Sequence, residues 1–208
     1  MKTKKKTDPK KLKIRRRSIK PEPMYEPYRM AGEMSDEKIL EDSFKDLIAE
    51  KGGTRGDWED KFEAIAYHET GKTMDPTQKQ VGGGPGRGLY QFEYIEDPSN
   101  LDKSAAATAV NRAVERFNDQ GRQIPEWLFK LHQEPADFSR LSKEKQQILL
   151  IADKLQGPGD FGDVLSSSKD FSEWWRKYHH KKDKGPKAKK FKKDTEEYLK
   201  FRYSTPRI

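Results

Sequence analysis

The chain has 208 residues and a net charge of +8, with 38% charged and 32% hydrophobic residues. This length suits one compact domain with tails, and no run approaches the roughly 18 apolar residues that a membrane-spanning helix needs. There is no cysteine, which excludes disulfides and thiolate metal sites.

The positive charge is concentrated in two segments. Residues 1–20 contain eleven Lys or Arg and one Asp, and residues 176–193 contain ten and one. These segments carry +10 and +9, so the rest of the chain must carry −11 to give the total of +8. Such segments bind nucleic acid, an anionic cell wall or an acidic protein, and charge alone does not choose among these partners. Because residues 1–20 lack an apolar stretch, we do not expect a secretory signal.

The composition along the chain predicts three parts. Residues 1–34 combine the first basic run with three prolines at 21–27, which disfavour helix and sheet, so we expect a flexible, extended arm. Residues 35–182 are expected to form the globular domain, beginning with Ser35 as a helix cap. Residues 183–208 are expected to be a basic linker followed by a short C-terminal helix or tail.

Apolar residues recur at helical spacing in most of the chain after residue 34. The predicted helical faces, in chain order, are Ile39 to Ile48, Trp58 to Ala66, Ala106 to Phe117, PEWLFKLH at 125–132, Ile148 to Leu155 with Ser142 as its cap, Phe171 to Tyr178, and Asp194 to Tyr203. No segment shows sustained strand alternation, although GLYQFEYI at 88–95 suits a short extended piece. The predicted class is therefore mainly α.

A glutamate precedes a glycine-rich stretch in residues 66–93, AYHETGKTMDPTQKQVGGGPGRGLYQFE. Three kinds of site compete here: a phosphate-binding loop, a metal site and a sugar-cleaving site. A Walker-type loop needs Lys and Ser or Thr after its last glycine, whereas Leu89 follows Gly88. A zincin helix needs a second histidine four residues after His68, where Lys72 stands. We therefore expect neither of the first two sites.

Glu69 is the candidate acid for a sugar-cleaving site. Phe62, Ile65 and Glu69 fall on one helical face, so the carboxyl would project from apolar surroundings. Such surroundings raise the pKa of a carboxyl, which a general acid needs in order to protonate a glycosidic oxygen near neutral pH. Spacing alone still favours a simple helix-end glutamate that faces water or pairs with Lys72 or Arg87.

The motifs on either side of the glycines change this balance. HETG at 68–71, followed by a polar segment and GRGLYQFE at 86–93, resembles the goose-type lysozyme and soluble lytic transglycosylase superfamily. It is most similar to the phage virion-associated branch, and the resemblance covers about residues 35–182. It implies a lysozyme-like helical fold with Glu69 as catalytic acid and base, and with Gln91 bonding sugar or orienting Glu69. The residues it places in the saccharide cleft are Gly88, Leu89, Tyr90 and Gln91. The glycine-rich stretch is then interpreted as a loop whose small residues let a polymer lie close to the backbone.

The resemblance also implies a reaction with one carboxylate. Glu69 would protonate the oxygen between N-acetylmuramic acid and N-acetylglucosamine, then accept a proton from the muramoyl C6 hydroxyl as a 1,6-anhydro ring closes. We expect no cofactor and no metal. The alternative is a hydrolytic lysozyme, which needs a positioned water and a helper carboxylate. The candidates for that helper are Glu93, Asp97 and Asp153, although a cap, turn or surface charge explains each of them.

Aromatic rings provide surfaces on which sugars stack. Tyr90 and Tyr178 are the predicted ligand contacts among the aromatic residues. The others have the spacing of core residues, which is clearest in FSEWWRKYHH at 171–180.

The implied setting is a phage particle whose enzyme opens the host cell wall in the periplasm during genome delivery. Its partners would be peptidoglycan strands, other virion proteins of the tail, portal or internal core bound through the 1–34 arm, and DNA bound through the basic segments. A hypothesis of another class is a non-catalytic structural or DNA-binding virion protein on the same scaffold. Binding to phosphates would make that interaction strongly dependent on salt.

Overall fold

The structure is a computed structural model that describes residues 34–80, 82–95, 103–134, 137–157, 171, 173–174 and 186–204. These residues belong to one compact unit, Gly32–Ile208. The predicted arm, apart from Met34, lies outside the described residues, and so do Asp97 and Tyr178.

The described residues are mainly α-helical, as predicted. The helices are α1 (Asp36–Lys51), α2 (Arg55–Glu69), α3 (Ala105–Asp119), α4 (Glu126–Gln133), α5 (Lys143–Gln156) and α6 (Pro186–Ser204). Between α2 and α3, two short antiparallel strands, β1 (Gly86–Arg87) and β2 (Phe92–Glu93), form a hairpin in which Gly86 pairs with Glu93. Lys79 adds a single antiparallel bridge to Arg87 on the other side of β1.

Hydroxyl side chains start most of these helices. The predicted caps at Ser35 and Ser142 are confirmed, and Ser104 caps α3 in the same way by accepting a hydrogen bond from a backbone N–H of the first turn. At α2, Thr54 and Asp57 form a capping box in which each side chain accepts a hydrogen bond from the backbone of the other. These bonds satisfy amides that would otherwise have no partner within the helix.

The hydrophobic core is built around α5. All nine residues from Gln146 to Lys154 are buried, because α1 and α3 pack against this helix from different sides. The largest fully buried side chains from α1 and α2 are Phe44, Leu47, Trp58, Phe62 and Ile65. These residues occupy the apolar faces predicted from helical spacing, so the core follows directly from the sequence pattern.

The C-terminal helix α6 belongs to this core. The sequence predicts residues 183–208 as a basic linker followed by a short C-terminal helix or tail, and in the structure α6 packs along α2. Phe191 is 1% exposed, Thr195 is 0% and Leu199 is 4%. A stripe of a few buried residues suffices to dock a helix, and the many lysines on its other faces obscure that stripe in the composition.

Candidate active site

Glu69 is the last residue of α2 and lies at the edge of the core. Ile65, one turn earlier on the same face, is 0% exposed, and Glu69 is half-buried. Thr70 then ends the helix: its hydroxyl donates to the Ala66 carbonyl at 2.7 Å and accepts from the Met74 amide at 2.9 Å. The threonine after the glutamate therefore fixes both the helix end and the first turn of the following loop.

The backbone that follows Glu69 is unusually strained. Lys72, Met74 and Gln91 have φ angles of 78°, 56° and 48°, and they are the non-glycine residues with positive φ in the part of the chain that the structure describes. Left-handed backbone costs a residue with a Cβ roughly 1–2 kcal/mol. All three residues lie between the end of α2 and the start of β2, so the strained positions of the described residues fall within the candidate site.

The loop after α2 is hydrogen-bonded to the hairpin. Gly88 N donates to the Gln78 carbonyl at 2.8 Å, and Gln80 N donates to the Gly86 carbonyl at 3.0 Å. The side-chain nitrogen Nε2 of Gln91 donates to the carbonyls of Gly88 at 2.7 Å and Gln78 at 3.3 Å. Gln91 therefore fastens the hairpin to the loop that begins at Glu69.

Three alternate glycines face glutamine side chains. An added Cβ would lie 1.9 Å from Gln80 Oε1 at Gly84, 2.6 Å from Gln91 Oε1 at Gly86 and 2.3 Å from Gln146 Oε1 at Gly88. The sequence suggests that small residues here let a polymer lie close to the backbone. At these three positions the protein's own glutamines take that space, whereas Cβ atoms at Gly82 and Gly83 would meet nothing within 4 Å.

Gln146 is a residue of the site that sequence reasoning missed. It is 1% exposed, and its Oε1 accepts from the Leu89 amide at 2.7 Å. Its Nε2 donates to the carbonyls of Pro76 and Leu141, each at 3.0 Å. The Gln146 side chain thus binds the loop after α2 at Pro76, the GLYQ stretch at Leu89, and Leu141 just before its own helix. The sequence signal that could have identified Gln146 is the pair of glutamines at 146–147 next to the apolar run of α5. Polar groups that are buried beside such a run need hydrogen-bond partners.

The predicted cleft residues Leu89 and Tyr90 are turned into the core. They are 1% and 6% exposed, so their side chains support the hairpin instead of offering a surface to a saccharide. Burial raises the pKa of the Tyr90 hydroxyl, Gln147 lowers it, and the nearby charge of Glu63 raises it. Both residues lie in the turn of the hairpin and belong to the hydrophobic core.

Of the predicted helper carboxylates, the structure describes Glu93 and Asp153. Glu93 is exposed on β2. Asp153 is 8% exposed and joins a buried ion-pair cluster between α3 and α5, with Arg112 on one oxygen and Lys154 at 2.7 Å from the other. Asp97 lies outside the described residues, as does the predicted sugar contact Tyr178.

A groove of about 590 Å³ lies between α1, α2 and α5, away from Glu69. Glu59 and Glu63 line it from α2, and Gln147 lines it from α5. Gln147 also lies beside the Tyr90 hydroxyl of the hairpin.

Comparisons of the chain with family models, with curated proteins and with solved structures find no match. Within the described ranges, no group of His, Asp and Glu side chains is arranged to hold a metal ion. None of the helices that the structure describes is long and apolar enough to cross a membrane. The assignment of the site therefore rests on the residues around Glu69 themselves.

Proposed function

We propose that this protein is a peptidoglycan lytic transglycosylase that cleaves the β-1,4 bond between N-acetylmuramic acid and N-acetylglucosamine, with Glu69 as its acid and base. The observation that carries the proposal is that, among the residues that the structure describes, the non-glycine residues with left-handed backbone all lie between Glu69 and β2, at Lys72, Met74 and Gln91. Strain of this kind persists where the surrounding structure enforces it, and it clusters at functional sites.

The order of elements supports a lysozyme-like fold for the helical unit. A buried helix ends at the glutamate, a loop follows, and a small antiparallel hairpin carries the GLYQ stretch back to that loop through Gln78 and Gln91. This is the order of motifs on which the resemblance to goose-type lysozymes and lytic transglycosylases was founded.

The chemistry assigned to Glu69 needs one carboxyl with two successive roles. As an acid it protonates the glycosidic oxygen, so the bond to the muramoyl C1 breaks and N-acetylglucosamine leaves as an alcohol. As a base it then takes the proton of the muramoyl C6 hydroxyl, whose oxygen bonds to C1 and closes the anhydro ring. No water is consumed, and Glu69 ends protonated as it began.

The surroundings of the other candidate carboxylates favour the transglycosylase reaction over hydrolysis. A hydrolytic lysozyme needs a second carboxylate near the water that it activates. Among the described candidates, Glu93 is exposed and Asp153 is held by Arg112 and Lys154. Glu69 is therefore proposed to act with the nucleophile that the substrate supplies.

We place the enzyme in a phage particle, where it opens the host wall from the periplasm during genome delivery. The proposed partners are glycan strands at the Glu69 site, virion proteins of the tail, portal or internal core at residues 1–34, and DNA at the basic segments. The support is the resemblance of the 68–71 and 86–93 motifs to the virion-associated branch, together with the local charges of +10 and +9.

Mass spectrometry of the fragments released from purified sacculi tests the reaction. The proposal predicts fragments that end in 1,6-anhydromuramic acid. Fragments with reducing ends would show a hydrolytic lysozyme instead. If no fragments are released, the enzyme proposal is overturned in favour of a structural or DNA-binding virion protein, for which salt-dependent binding to DNA is the expected property.

A further inference from the structure

Asp194 of α6 binds the residue immediately before Glu69. Its Oδ2 lies 2.8 Å from His68 Nδ1, and because an ionised carboxylate only accepts, Nδ1 carries the hydrogen. The side chains of His68 and Asp194 are 11% and 5% exposed, and Lys190 donates to the same oxygen at 3.0 Å. The His68 ring also meets Phe191 edge-on, with 5.0 Å between the ring centroids. His68 is therefore held against α6 by both polar and aromatic contacts.

Glu197, one turn further along α6, binds residues on both sides of Glu69. Its Oε1 accepts from the Tyr67 hydroxyl at 2.9 Å and from Lys72 Nζ at 2.8 Å, and its Oε2 accepts from the same nitrogen at 2.9 Å. Tyr67 is the third-last residue of α2, and Lys72 is one of the strained residues of the following loop. Glu197 thus links the helix end to the loop across the position of the acid.

We propose that α6 helps to position the catalytic residue and that Asp194 and Glu197 are its positioning residues for Glu69, an inference that rests on the proposed function. Together they hold residues 67, 68 and 72, so the backbone that carries Glu69 is fixed on both sides. A displacement of about 1 Å at a reacting group lowers turnover by as much as about 100-fold. Loosening either contact therefore slows the reaction without removing any group that touches the substrate.

Replacing Glu197 distinguishes an effect on positioning from an effect on stability better than replacing Asp194 does. The side chains of Lys72 and Glu197 are 43% and 47% exposed, and ion pairs this exposed contribute little to folding. Asp194 is buried, so its replacement affects both folding and geometry. A loss of turnover in a Glu197 variant of unchanged stability therefore reports on positioning.

The test compares Glu197→Gln and Asp194→Asn with Glu196→Gln in the full chain. Glu196 is a matched control on the same helix, because it forms an ion pair, 3.7 Å to Lys192, that stays within α6. Fragment release from sacculi is measured over a range of sacculus concentrations. We expect kcat to fall about 10- to 100-fold in both test variants, with KM within twofold of the wild-type value and no change in the control. A kcat for Glu197→Gln that matches that of Glu196→Gln overturns the inference.

A second measurement distinguishes failure of the positioning role from failure of the proposed enzymatic function. Hydrogen exchange of the backbone amides at 66–74 is followed in the same variants, with thermal unfolding to confirm the fold. Exchange is expected to speed up in Glu197→Gln and Asp194→Asn and to stay unchanged in Glu196→Gln. If the wild type releases no fragments, the proposed function is overturned, and unchanged exchange in Glu197→Gln would then overturn the positioning role independently.

Discussion

Tyr198 of α6 donates its hydroxyl hydrogen to Glu63 of α2, with 2.5 Å between the two oxygens. Lys143 of α5 donates to the other carboxylate oxygen at 3.1 Å, so one carboxylate joins three helices. Burial alone would raise the pKa of Glu63, but the hydrogen bonds from Tyr198 and Lys143 and the charges of Lys143 and Arg202 hold that pKa below its ordinary value. The hydrogen bond between Tyr198 and Glu63 therefore holds α6 against α2 at a position that precedes Glu69 in the helix.

Replacing Tyr198 by phenylalanine should lower the free energy of unfolding by about 1–3 kcal/mol, because a hydrogen bond to a charged, largely buried group is lost. Urea denaturation at pH 7 measures the change. Tyr203→Phe is the matched control on the same helix, since Tyr203 is 66% exposed and should leave the stability nearly unchanged. Equal effects of the two substitutions would show that the Tyr198 hydroxyl does not hold α6.

Stability should fall in acid because Glu63 and Asp194 have lowered pKa values in the folded state. Burial alone would raise the pKa of Asp194, but bonds from Lys190 and His68 outweigh it. The ordinary values are 4.5 and 3.8, so the stability that these groups contribute is present above those values and is lost as the pH falls through their folded-state pKa values. Urea denaturation between pH 7 and pH 2 should show this decline.

Asp194→Asn should make the decline below pH 3.8 shallower, since one of the groups that take up protons on unfolding is gone. Other carboxylates with lowered pKa values remain in both proteins, so the difference between the two curves isolates Asp194. Parallel curves over that range would contradict the lowered pKa of Asp194.

Gly88→Ala should destabilise the protein more than Gly83→Ala. Both glycines have positive φ, 74° and 80°, so alanine meets the same backbone penalty of about 1 kcal/mol at each. Only at Gly88 would the new Cβ also press on Gln146 Oε1, at 2.3 Å. Overpacking of this kind costs about 1–3 kcal/mol more. Chemical denaturation of the two variants measures the difference, and equal stabilities would mean that Gln146 can move aside.

Gln146→Met should cost about 3 kcal/mol, because it leaves the Leu89 amide and the Pro76 and Leu141 carbonyls without their side-chain partner in a buried site. Methionine keeps a similar shape and helix propensity, so the lost hydrogen bonds dominate the effect. Gln133→Met, at an exposed position of α4, is the control and should be nearly neutral. Comparable midpoints of thermal unfolding for both variants would contradict the role of Gln146.

The helices could be predicted from the sequence because their signals are local. Ser35 and Ser142 precede runs of apolar residues at helical spacing, and each cap forms with a residue three positions away. The sequence predicted only a short extended piece at 88–95, whereas residues 88–91 form the turn of the hairpin and only Phe92 and Glu93 of that piece form a strand. The strands of the hairpin contain two residues each, which is too short for an alternating pattern to appear.

The contacts that shape the candidate site could not be predicted because their partners are distant in sequence. Gln146 and Leu89 are 57 residues apart, and Tyr198 and Glu63 are 135 apart. Without the fold, the glycines at 84, 86 and 88 suggest room for a ligand, whereas glutamine side chains fill that space. Glu69 could be proposed from the sequence because helical spacing and the adjoining motifs are both short-range, and its catalytic role stays a prediction.

The most direct measurement is the rate at which Glu69→Gln releases fragments from purified sacculi, beside the wild type and Glu93→Gln. Glu93 is an exposed carboxylate on β2 and provides a matched change of charge. A general acid contributes about 10²–10⁴-fold to a rate, so Glu69→Gln should lose about that factor while circular dichroism shows an unchanged fold and Glu93→Gln keeps its activity. Release by Glu69→Gln at the rate of Glu93→Gln would contradict the assignment of Glu69 as the catalytic residue.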